Sequence, residues 1–375
     1  MGISLGKLVV LKLDGDLERQ GFRGSLEVGS EGERPVLEVA AALPSDPELL
    51  TRLNQWQQAY RSLGMGSRIM PQEIIYGGSV NRLDNCRRSA YQLRDRFNFW
   101  LESPQFRPVD RRLREVLTLD EPIRILIRTQ DRDLWRLPWH FWDFVDHYFR
   151  AEVALASSNL EQIQAARIAG SDGRVRILAI LGNRVGISVE EDRALLEQLP
   201  DAEVTFLVEP SRRQITQQLW DQHWDILFFA GHSQTEGKQG RIDLNAEEKL
   251  TLEELKYGLR WAIANGLQLA IFNSCDGLGL AQELEQLRLP QMIIMREPVP
   301  DRVAQEFLKH FLMAFVQGES LYLAERQARE RLQGLESEYP CASWLPIICQ
   351  TSTTPPLTWH QLAGTGKTME VTPLP

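Results

Sequence analysis

The sequence predicts an α/β protein: a doubly wound, mostly parallel sheet flanked by helices, with an α+β domain before it. Residues 226–230 and 267–272 are apolar runs that are rich in strand formers and too short for typical helices, as expected of strands buried on both faces. From residue 174 onward, apolar runs alternate with segments that begin with helix-capping residues. This alternation is typical of a doubly wound fold.

The first part of the chain, residues 1–118, is interpreted as an α+β domain of unknown function. Residues 7–13 alternate apolar and polar side chains, and short strand-like runs follow at 24–28 and 36–40, which predicts a small antiparallel sheet. Helices are expected at 46–63 and 79–101, with a short one ending near 118. Cys86 lies on the apolar stripe of the second helix and is interpreted as a core residue.

The main domain is predicted at residues 119–350, followed by a flexible tail at 351–375. Its strands are expected at 123–127, 175–181, 204–208, 226–230, 267–272, 292–295 and 344–348. Capping boxes that begin at Ser188, Ser211 and Thr251 predict helix starts. A hairpin is expected near 241–250, as part of a mobile cover over the substrate groove. The aromatic segment 135–149 is interpreted as packing, because its acidic neighbours oppose stacking on single-stranded nucleic acid.

Two reactive side chains follow two of these strands. His232 comes after the run 226–230, and Cys275 comes after the run 267–272. The carboxyl ends of parallel strands share one edge of a sheet, and neighbouring strands lie roughly 4.8 Å apart. An imidazole and a thiol can therefore meet there as base and nucleophile. A helix predicted at 278–287 would put Cys275 near a helix N-terminus, which favours a thiolate.

Several motifs resemble the CHAT domain family, a group within the caspase-like cysteine peptidases. They are Phe-Ala-Gly-His at 229–232, Phe-Asn-Ser-Cys at 272–275, Arg-Glu-Pro-Val-Pro-Asp-Arg-Val at 296–303, Gly-Glu-Ser-Leu at 318–321, and Leu-Pro-Trp at 137–139. The resemblance covers residues 122–350 and implies a caspase-like fold that hydrolyses peptide bonds with His232 and Cys275. It further implies an oxyanion hole formed by the backbone N–H groups of Ser233 and Cys275. Two positions depart from the family pattern: Ser233 replaces a usual Gly, and His140 replaces a usual acid.

In proteins of this clan, charged pocket residues hold the side chain before the cut. The candidates here are Asp276, Arg296, Glu297 and Asp301. Arg296 would suit an acidic side chain, whereas Glu297 or Asp301 would suit a basic one. The sequence leaves this choice open.

Composition limits the partners and cofactors. With a net charge of −9, 43% hydrophobic residues and 25% charged residues, the chain is predicted to be a soluble protein that does not bind nucleic acid. Its four cysteines form no CxxC pair, so no metal, cofactor or disulfide framework is expected, and a reducing cytoplasm fits. No leader or membrane-spanning segment is predicted, and no membrane partner is expected. The family resemblance implies a protein or peptide substrate as the partner.

Parts of the same sequence suggest three alternative functions. The family resemblance also fits a weakly active or inactive scaffold that binds protein partners, with the N-terminal domain as a possible contact surface, in a bacterial signalling or stress pathway. The same thiol could instead catalyse amide or acyl transfer. A serine nucleophile elbow at 231–235 is disfavoured, because Thr235 replaces its last Gly and no helix is predicted after it.

Overall fold

The computed structural model describes residues 6–64, 79–156, 173–185, 187–236, 239–274, 277–351 and 354–364. Among these residues, eleven strands form one sheet and three short strands form a second. Most neighbouring strands in the large sheet run parallel, and helices cover its faces. The predicted α/β fold class is confirmed.

The N-terminal strands join the large sheet. Strands β1 (Lys7–Asp16), β2 (Gly21–Ser30) and β3 (Leu37–Leu43) form the predicted antiparallel meander. β1 also pairs in parallel with β4 (Ile123–Arg128), which follows the helices α1 (Pro47–Arg61), α2 (Ser79–Leu101) and α3 (Arg107–Val116). The sheet therefore runs through the predicted boundary at residue 118, and the division into two domains stays a prediction.

The aromatic segment supplies the short helices α4 (Arg132–Arg136) and α5 (Asp143–His147), and strand β5 (Ala151–Ala156) follows. The side chains of Trp135, Trp139, Trp142 and Phe144 are buried in the hydrophobic core, which confirms the expected packing role. β5 was not predicted. It is made largely of alanine, a poor strand former, and contains Glu152, whose buried carboxylate pairs with Arg329 at 2.5 Å.

The strands that position the candidate site are β6 (Val175–Leu181), β7 (Ala202–Val208), β8 (Ile226–Ala230), β12 (Leu269–Asn273), β13 (Gln291–Met295) and β14 (Pro346–Gln350). Between β8 and β12 the chain forms the small sheet of β9 (Ser233–Glu236), β10 (Gln239–Asp243) and β11 (Lys249–Thr251), which includes the predicted hairpin. The large sheet has the order β3-β2-β1-β4-β5-β14-β13-β12-β8-β6-β7. Because β6, β7, β8, β12 and β13 are mutually parallel, their carboxyl ends lie at one edge.

The remaining helices are α6 (Val189–Glu197), α7 (Arg212–Asp221), α8 (Lys256–Ala264), α9 (Leu278–Gln286), α10 (Asp301–Val316), α11 (Leu321–Arg331) and α12 (Trp359–Leu362). Single 3-10 turns occur at Trp139–Phe141, Leu252–Leu255, Leu332–Leu335 and Ala342–Trp344. The capping boxes at Ser211 and Thr251 are confirmed. The one at Ser188 is wrong, because the Asp301 carboxylate accepts the Ser188 N–H at 3.0 Å and the Ser188 side chain makes no cap bond.

The predicted flexible tail is wrong for residues 354–364. Trp359 is 1% exposed on α12, and the Leu321 N–H donates to the carbonyl of Leu357 at 2.8 Å. Burial of the Trp359 and Leu362 side chains fixes this segment against the domain, and the rest of the predicted tail, 365–375, lies outside the described residues.

A buried ion pair ties the N-terminal meander to the rest of the sheet. Arg124 on β4 donates from Nε to Glu31 Oε1 at 2.7 Å and from Nη1 to the carbonyl of Thr354 at 2.7 Å. Arg124 and Glu31 are 2% and 6% exposed. Because Glu31 directly follows β2, Arg124 connects β4 to the end of β2 and to Thr354, which are distant parts of the chain.

Replacing Glu31 with Gln is expected to lower the free energy of unfolding by about 3 kcal/mol, because the Arg124 charge stays buried without its partner. Denaturant unfolding measures the change. Glu27→Gln is the matched control. It breaks the partly exposed Lys12–Glu27 pair on the same meander and should cost about 0.5 kcal/mol. Equal losses in the two variants would contradict the assignment.

Candidate active site

His232 follows β8 and is held in one orientation. Its side chain is 2% exposed, and Nε2 lies 2.8 Å from the carbonyl oxygen of Val185. A carbonyl only accepts, so Nε2 bears the hydrogen and donates it. Nδ1 has no hydrogen-bond partner within the described part of the chain. In this tautomer the lone pair lies on Nδ1, where a general base requires one.

The backbone around His232 is fixed from both sides. The Asp243 N–H on β10 donates to the carbonyl of His232 at 2.9 Å, and the Asn183 N–H donates to the carbonyl of Asp243 at 3.0 Å. Gly182 and Gly231 lie against each other, since a Cβ on Gly231 would sit 3.2 Å from the Gly182 Cα. This close approach brings the loop after β6 next to His232, so that the Val185 carbonyl can accept the imidazole N–H.

Cys275 and Asp276 lie outside the described residues, but both flanks of the pair are described. Ser274 is fully buried, and Gly277 directly precedes α9, the helix predicted at 278–287. The Gly277 N–H donates to the carbonyl of Met295 at 2.7 Å, and a Cβ on Gly277 would lie 2.7 Å from the Ile294 Cβ. Glycine therefore allows the helix to begin close against β13.

A pair of serine hydroxyls joins the two strand ends. Ser233 Oγ donates to Ser274 Oγ at 2.9 Å, and both side chains are buried. Ser233 directly follows His232, and Ser274 directly precedes Cys275. The parallel ladder of β8 and β12 ends with Ala230 opposite Asn273, two residues before His232 and Cys275 respectively. Ser233 was predicted only for its backbone N–H group, and a role of the Ser274 side chain was not predicted.

Two helices hold the end of β12. Asn273 Nδ2 donates to Asp192 Oδ1 at 2.9 Å and to the carbonyl of Ala304 at 3.2 Å. Asp192, on α6, is fully buried. Asp192 was not predicted as part of the site, because an acidic residue in the first turn of a helix is ordinarily a solvent-exposed partner of the helix dipole. Asn273 could have indicated a buried hydrogen-bond partner, since it is a polar residue at the end of a buried apolar strand.

The small sheet rests on α9. Gly240 on β10 packs against Leu280, and its N–H donates to Glu283 Oε1 at 2.7 Å. Burial raises the pKa of the Glu283 carboxyl above its ordinary value. β10 thus contacts both His232 and the helix that follows Cys275, while the predicted mobility of this cover stays a prediction.

Arg296 and Glu297 are engaged inside the protein. Arg296 is 2% exposed, and its Nη1 donates to the carbonyls of Arg136 and Leu137 at 3.2 and 2.8 Å. Burial lowers the pKa of Arg296 to about 10. Glu297, also 2% exposed, pairs with Arg61 at 2.7 Å and accepts a hydrogen bond from Gln57 on α1. Only a rearrangement would free either charge for a substrate.

Asp301 borders an open cleft. Its Oδ2 accepts hydrogen bonds from the Ser188 N–H at 3.0 Å and from Gln305 Nε2 at 2.9 Å. The cleft has a volume of about 570 Å³ and is lined by Glu191, Pro300, Asp301, Arg302, Gln305, Glu306 and Tyr339. Ser188 belongs to the same loop as Val185, the partner of His232. Asp301 is therefore a described substrate candidate that lies beside a cleft.

No cluster of metal-binding side chains occurs in the described ranges. Of the helices described, α2 has the length to cross a bilayer but bears charges along its whole length, and none of the others is long and apolar enough.

The fold and the site define an α/β protein with an oriented histidine at the carboxyl edge of its sheet. The sequence model of the CHAT domain family matches residues 100–363, well over half of the chain. The protein therefore belongs to the CHAT domain family, as predicted.

This chain is similar to several solved structures. It is similar to the complex of the pro- and mature domains of RgpB from Porphyromonas gingivalis, with 10% identity, a TM-score of 0.43, and coverage of 81% of this chain and 78% of that one. It is also similar to the Arg-specific cysteine proteinase gingipain R, with 10% identity, a TM-score of 0.45, and coverage of 96% and 80% respectively. None of the curated proteins compared with it matches significantly.

His140, which replaces the usual acid of the Leu-Pro-Trp element, is a core residue. It is 6% exposed, and its ring lies 4.2 Å from that of Phe141 and 6.3 Å from that of Trp344. Burial holds the pKa of His140 well below its ordinary value, and nearby cations lower it further: Arg329, Arg296, Arg94 and Arg326. The folded protein therefore keeps this imidazole neutral.

This burial predicts acid sensitivity. The unfolded chain binds a proton on His140 near pH 6.5, whereas the folded protein does not, so stability is lost as the pH falls below about 6.5. Thermal unfolding should show a steeper fall in Tm between about pH 6.5 and pH 5 for the unaltered protein than for His140→Gln. Identical pH profiles would contradict this assignment.

Proposed function

We propose that this protein is a cysteine peptidase in which the His232 imidazole activates the Cys275 thiol. The observation that supports this most is the orientation of His232: Nε2 donates to the Val185 carbonyl, and Nδ1 has no partner in the residues described. A general base needs such a ring nitrogen, because its lone pair must be available to accept the thiol proton.

The hydroxyl pair supports the proximity of the two groups. Consecutive Cα atoms are about 3.8 Å apart, so His232 and Cys275 are each one peptide unit from a serine of the Ser233–Ser274 pair. β8 and β12 are parallel neighbours whose last paired positions are Ala230 and Asn273. His232 and Cys275 each follow two residues later, so both segments leave the sheet at the same edge. From such an arrangement, the His232 imidazole and the Cys275 thiol would come into contact without a large movement of either segment.

The proposed reaction has two steps. The Cys275 thiol gives its proton to His232 Nδ1, and the thiolate attacks the carbonyl carbon of the substrate peptide bond. The imidazolium then protonates the leaving amine, which departs and leaves a thioester. Water, deprotonated by His232, hydrolyses the thioester and releases the carboxylate product and the free thiol. The bond from Nε2 to the Val185 carbonyl would keep the ring in place while Nδ1 gains and loses its proton.

The oxyanion of each tetrahedral intermediate would be bound by the backbone N–H groups of Ser233 and Cys275. The ladder between β9 and β10 sets Ser233 opposite Ile242, which holds this part of the backbone in an extended form. A preorganised donor of this kind stabilises developing charge without reorganisation during the reaction. Serine keeps the N–H group, so the departure from glycine at this position does not remove the donor.

For substrate binding we propose Asp301, and Asp276 as a second acidic candidate. With Arg296 and Glu297 held in internal contacts, the cleft beside Asp301 suits a peptide with a basic side chain near the cut. Membership of the CHAT domain family supports a place in a bacterial signalling or stress pathway, with the N-terminal residues as a possible partner surface. The buried free thiols suit a reducing compartment such as the cytoplasm.

The proposal predicts selective labelling of Cys275 by peptidyl acyloxymethyl ketones. Probes with Arg, Lys, Asp or Leu before the electrophile should label Cys275 alone, the basic probes fastest. His232→Ala should slow labelling about 100-fold, because the base is lost, and Cys275→Ala should abolish it. Mass spectrometry of digested protein locates the adduct.

Cys349→Ala is the matched control for this experiment. Cys349 is fully buried on β14, and burial raises the pKa of its thiol, so its removal should leave labelling unchanged. Comparable labelling of all four cysteines, or labelling that is indifferent to His232→Ala, would refute the peptidase and favour the binding scaffold.

Ser274→Ala tests the hydroxyl pair. Loss of one hydrogen bond of about 1 kcal/mol should slow probe labelling about fivefold by loosening the two strand ends. Ser343→Ala removes another buried serine hydroxyl, which is bonded to Glu336 and not to a residue that follows β8 or β12. It should lower Tm but leave the labelling rate unchanged. Equal rates for the two variants would rule out a positioning role for Ser274.

A further inference from the structure

β7 is the outermost strand at one end of the large sheet, and within the described residues it pairs only with β6. The Val175 N–H donates to the carbonyl of Asp201 at 2.7 Å. At the other end of the strand, the Glu209 N–H donates to the carbonyl of Leu181 at 2.7 Å. Successive residues of a strand direct their backbone groups to alternate sides, so the odd-numbered residues of β7 bond to β6. The even-numbered residues direct their N–H and carbonyl groups outward: Ala202, Val204, Phe206 and Val208.

The side chains of β7 are less buried than those of the strands beside it. Every residue of β8 is buried, whereas each residue of β7 is partly or largely exposed. Val208 is 41% exposed, and the other apolar side chains of the strand are only partly buried against the core: Ala202, Val204, Phe206 and Leu207. The hydrophobic layer is therefore incomplete at this end of the sheet, and a further strand would remove more apolar surface from water.

β7 lacks the features that normally protect an edge strand. Soluble proteins protect such strands with lysine, proline, a bulge or a very short length. The seven residues of β7 pair with β6 without interruption, and the strand contains no lysine, proline or glycine. Glu203 is its single charged residue and lies 3.8 Å from Arg176. β3, at the other end of the sheet, contains three alanines, which are poor strand formers, so β7 is the edge better suited to pairing.

We propose that β7 is an interaction surface for a second copy of this chain, whose own β7 pairs with it in antiparallel orientation about a two-fold axis at Thr205. In this register the backbone groups of Val204 face those of Phe206 in the second copy, and Ala202 faces Val208 in the same way. All the outward N–H and carbonyl groups of the strand are then paired. Thr205 lies opposite the same residue of the second copy.

The strand is complementary to itself in this register. On one face the Val204 side chain lies beside Phe206 of the second copy, which is a favourable apolar cross-strand pair. On the other face Glu203 lies opposite Leu207, so the single charge of the strand does not meet its own counterpart. The pairing therefore covers apolar side chains without bringing like charges together inside the ladder.

Shifted registers are less favourable. A shift of two residues in one direction sets Glu203 opposite Glu209, and like charges directly opposite each other are destabilising. The same shift in the other direction sets Val208 opposite Pro200, which has no N–H to donate. The two-fold axis at Thr205 is thus the arrangement in which all seven residues of β7 pair.

The ends of β7 limit the length of the ladder. Asp201 and Glu209 flank the strand with positive φ values of 51° and 44°, so the extended backbone stops at both residues. Asp201 would lie near Glu209 of the second copy. Arg184 Nε lies 3.6 Å from Glu209 Oε2 and supplies a cation between the two carboxylates.

The pairing closes on itself. A two-fold axis uses the β7 edge of both copies, so assembly through this strand stops at a dimer. Because the two strands run antiparallel, the candidate sites of the two copies lie at opposite edges of the joined sheet, and each is complete within its own copy. This inference is therefore independent of the proposed peptidase activity.

Sedimentation velocity of the full-length protein at increasing concentration should show a monomer that converts to a dimer and to nothing larger. Val204→Lys should raise the dissociation constant of the dimer at least about tenfold, because each copy would bury an ammonium group opposite Phe206. Val39→Lys is the matched control. It makes the same change at a partly buried position on β3, the strand at the other end of the sheet, and should leave the dissociation constant unchanged.

Cysteine cross-linking tests the register in full-length Cys275→Ala protein, whose other cysteines are buried. On mild oxidation, Thr205→Cys alone should give an intermolecular disulfide, seen as a dimer on a non-reducing gel. Opposed residues that are not hydrogen-bonded have Cα atoms about 4.5 Å apart, which is within the range of a disulfide. Glu203→Cys alone and Leu207→Cys alone should give none, whereas a mixture of these two variants should cross-link.

A protein that stays monomeric at every concentration and gives no cross-link from Thr205→Cys would overturn the proposal and leave β7 to a different partner. A dimer that Val204→Lys leaves intact, or one that Val39→Lys dissociates equally, would also overturn it. Should Val204→Lys fail to fold, the cross-linking decides by itself. A disulfide from Glu203→Cys alone would refute the two-fold register.

Discussion

The hydrogen bond between the Ser233 and Ser274 hydroxyls sets the geometry on which the candidate site depends. It joins the chain immediately after His232 to the chain immediately before Cys275, at the point where the ladder of β8 and β12 has ended. Without such a bond, two loops that leave a sheet edge are free to separate. Asp192 and Ala304 support the same strand end through Asn273, and β10 supports His232. The site is thus anchored by buried polar contacts more than by its own reactive groups.

Local patterns were sufficient to predict most of the fold. β8 and α2 match their predicted bounds, because burial of one face leaves a clear period in the sequence. β5 and α12 escaped prediction for the opposite reason. Their segments are alanine-rich or short, and they are ordered by partners distant in the chain, such as Arg329 for β5 and Ser320 for the residue before α12. No local pattern encodes such pairings.

The site was predictable in part for a similar reason. A histidine after a buried strand is visible in the sequence, and so is a polar Asn273. The carbonyl of Val185 is not, since any residue could supply it. Arg296 and Glu297 show where prediction from sequence fails. Their charges suggested contact with a substrate, but Arg296 donates to backbone carbonyls and Glu297 pairs with Arg61 on α1. Whether a charge faces solvent or a buried partner is decided by tertiary packing.

The position of β14 limits how copies of this protein could assemble. β14 pairs with β13 on one side and with β5 on the other, so its backbone is not open to a strand from a neighbouring molecule. Within the described residues, the large sheet terminates only at β3 and β7. Any continuous intermolecular sheet would have to be built through one of these two outer strands. Growth through β3 would enlarge the N-terminal end, whereas growth through β7 would extend the end that bears β6 and the Val185 loop.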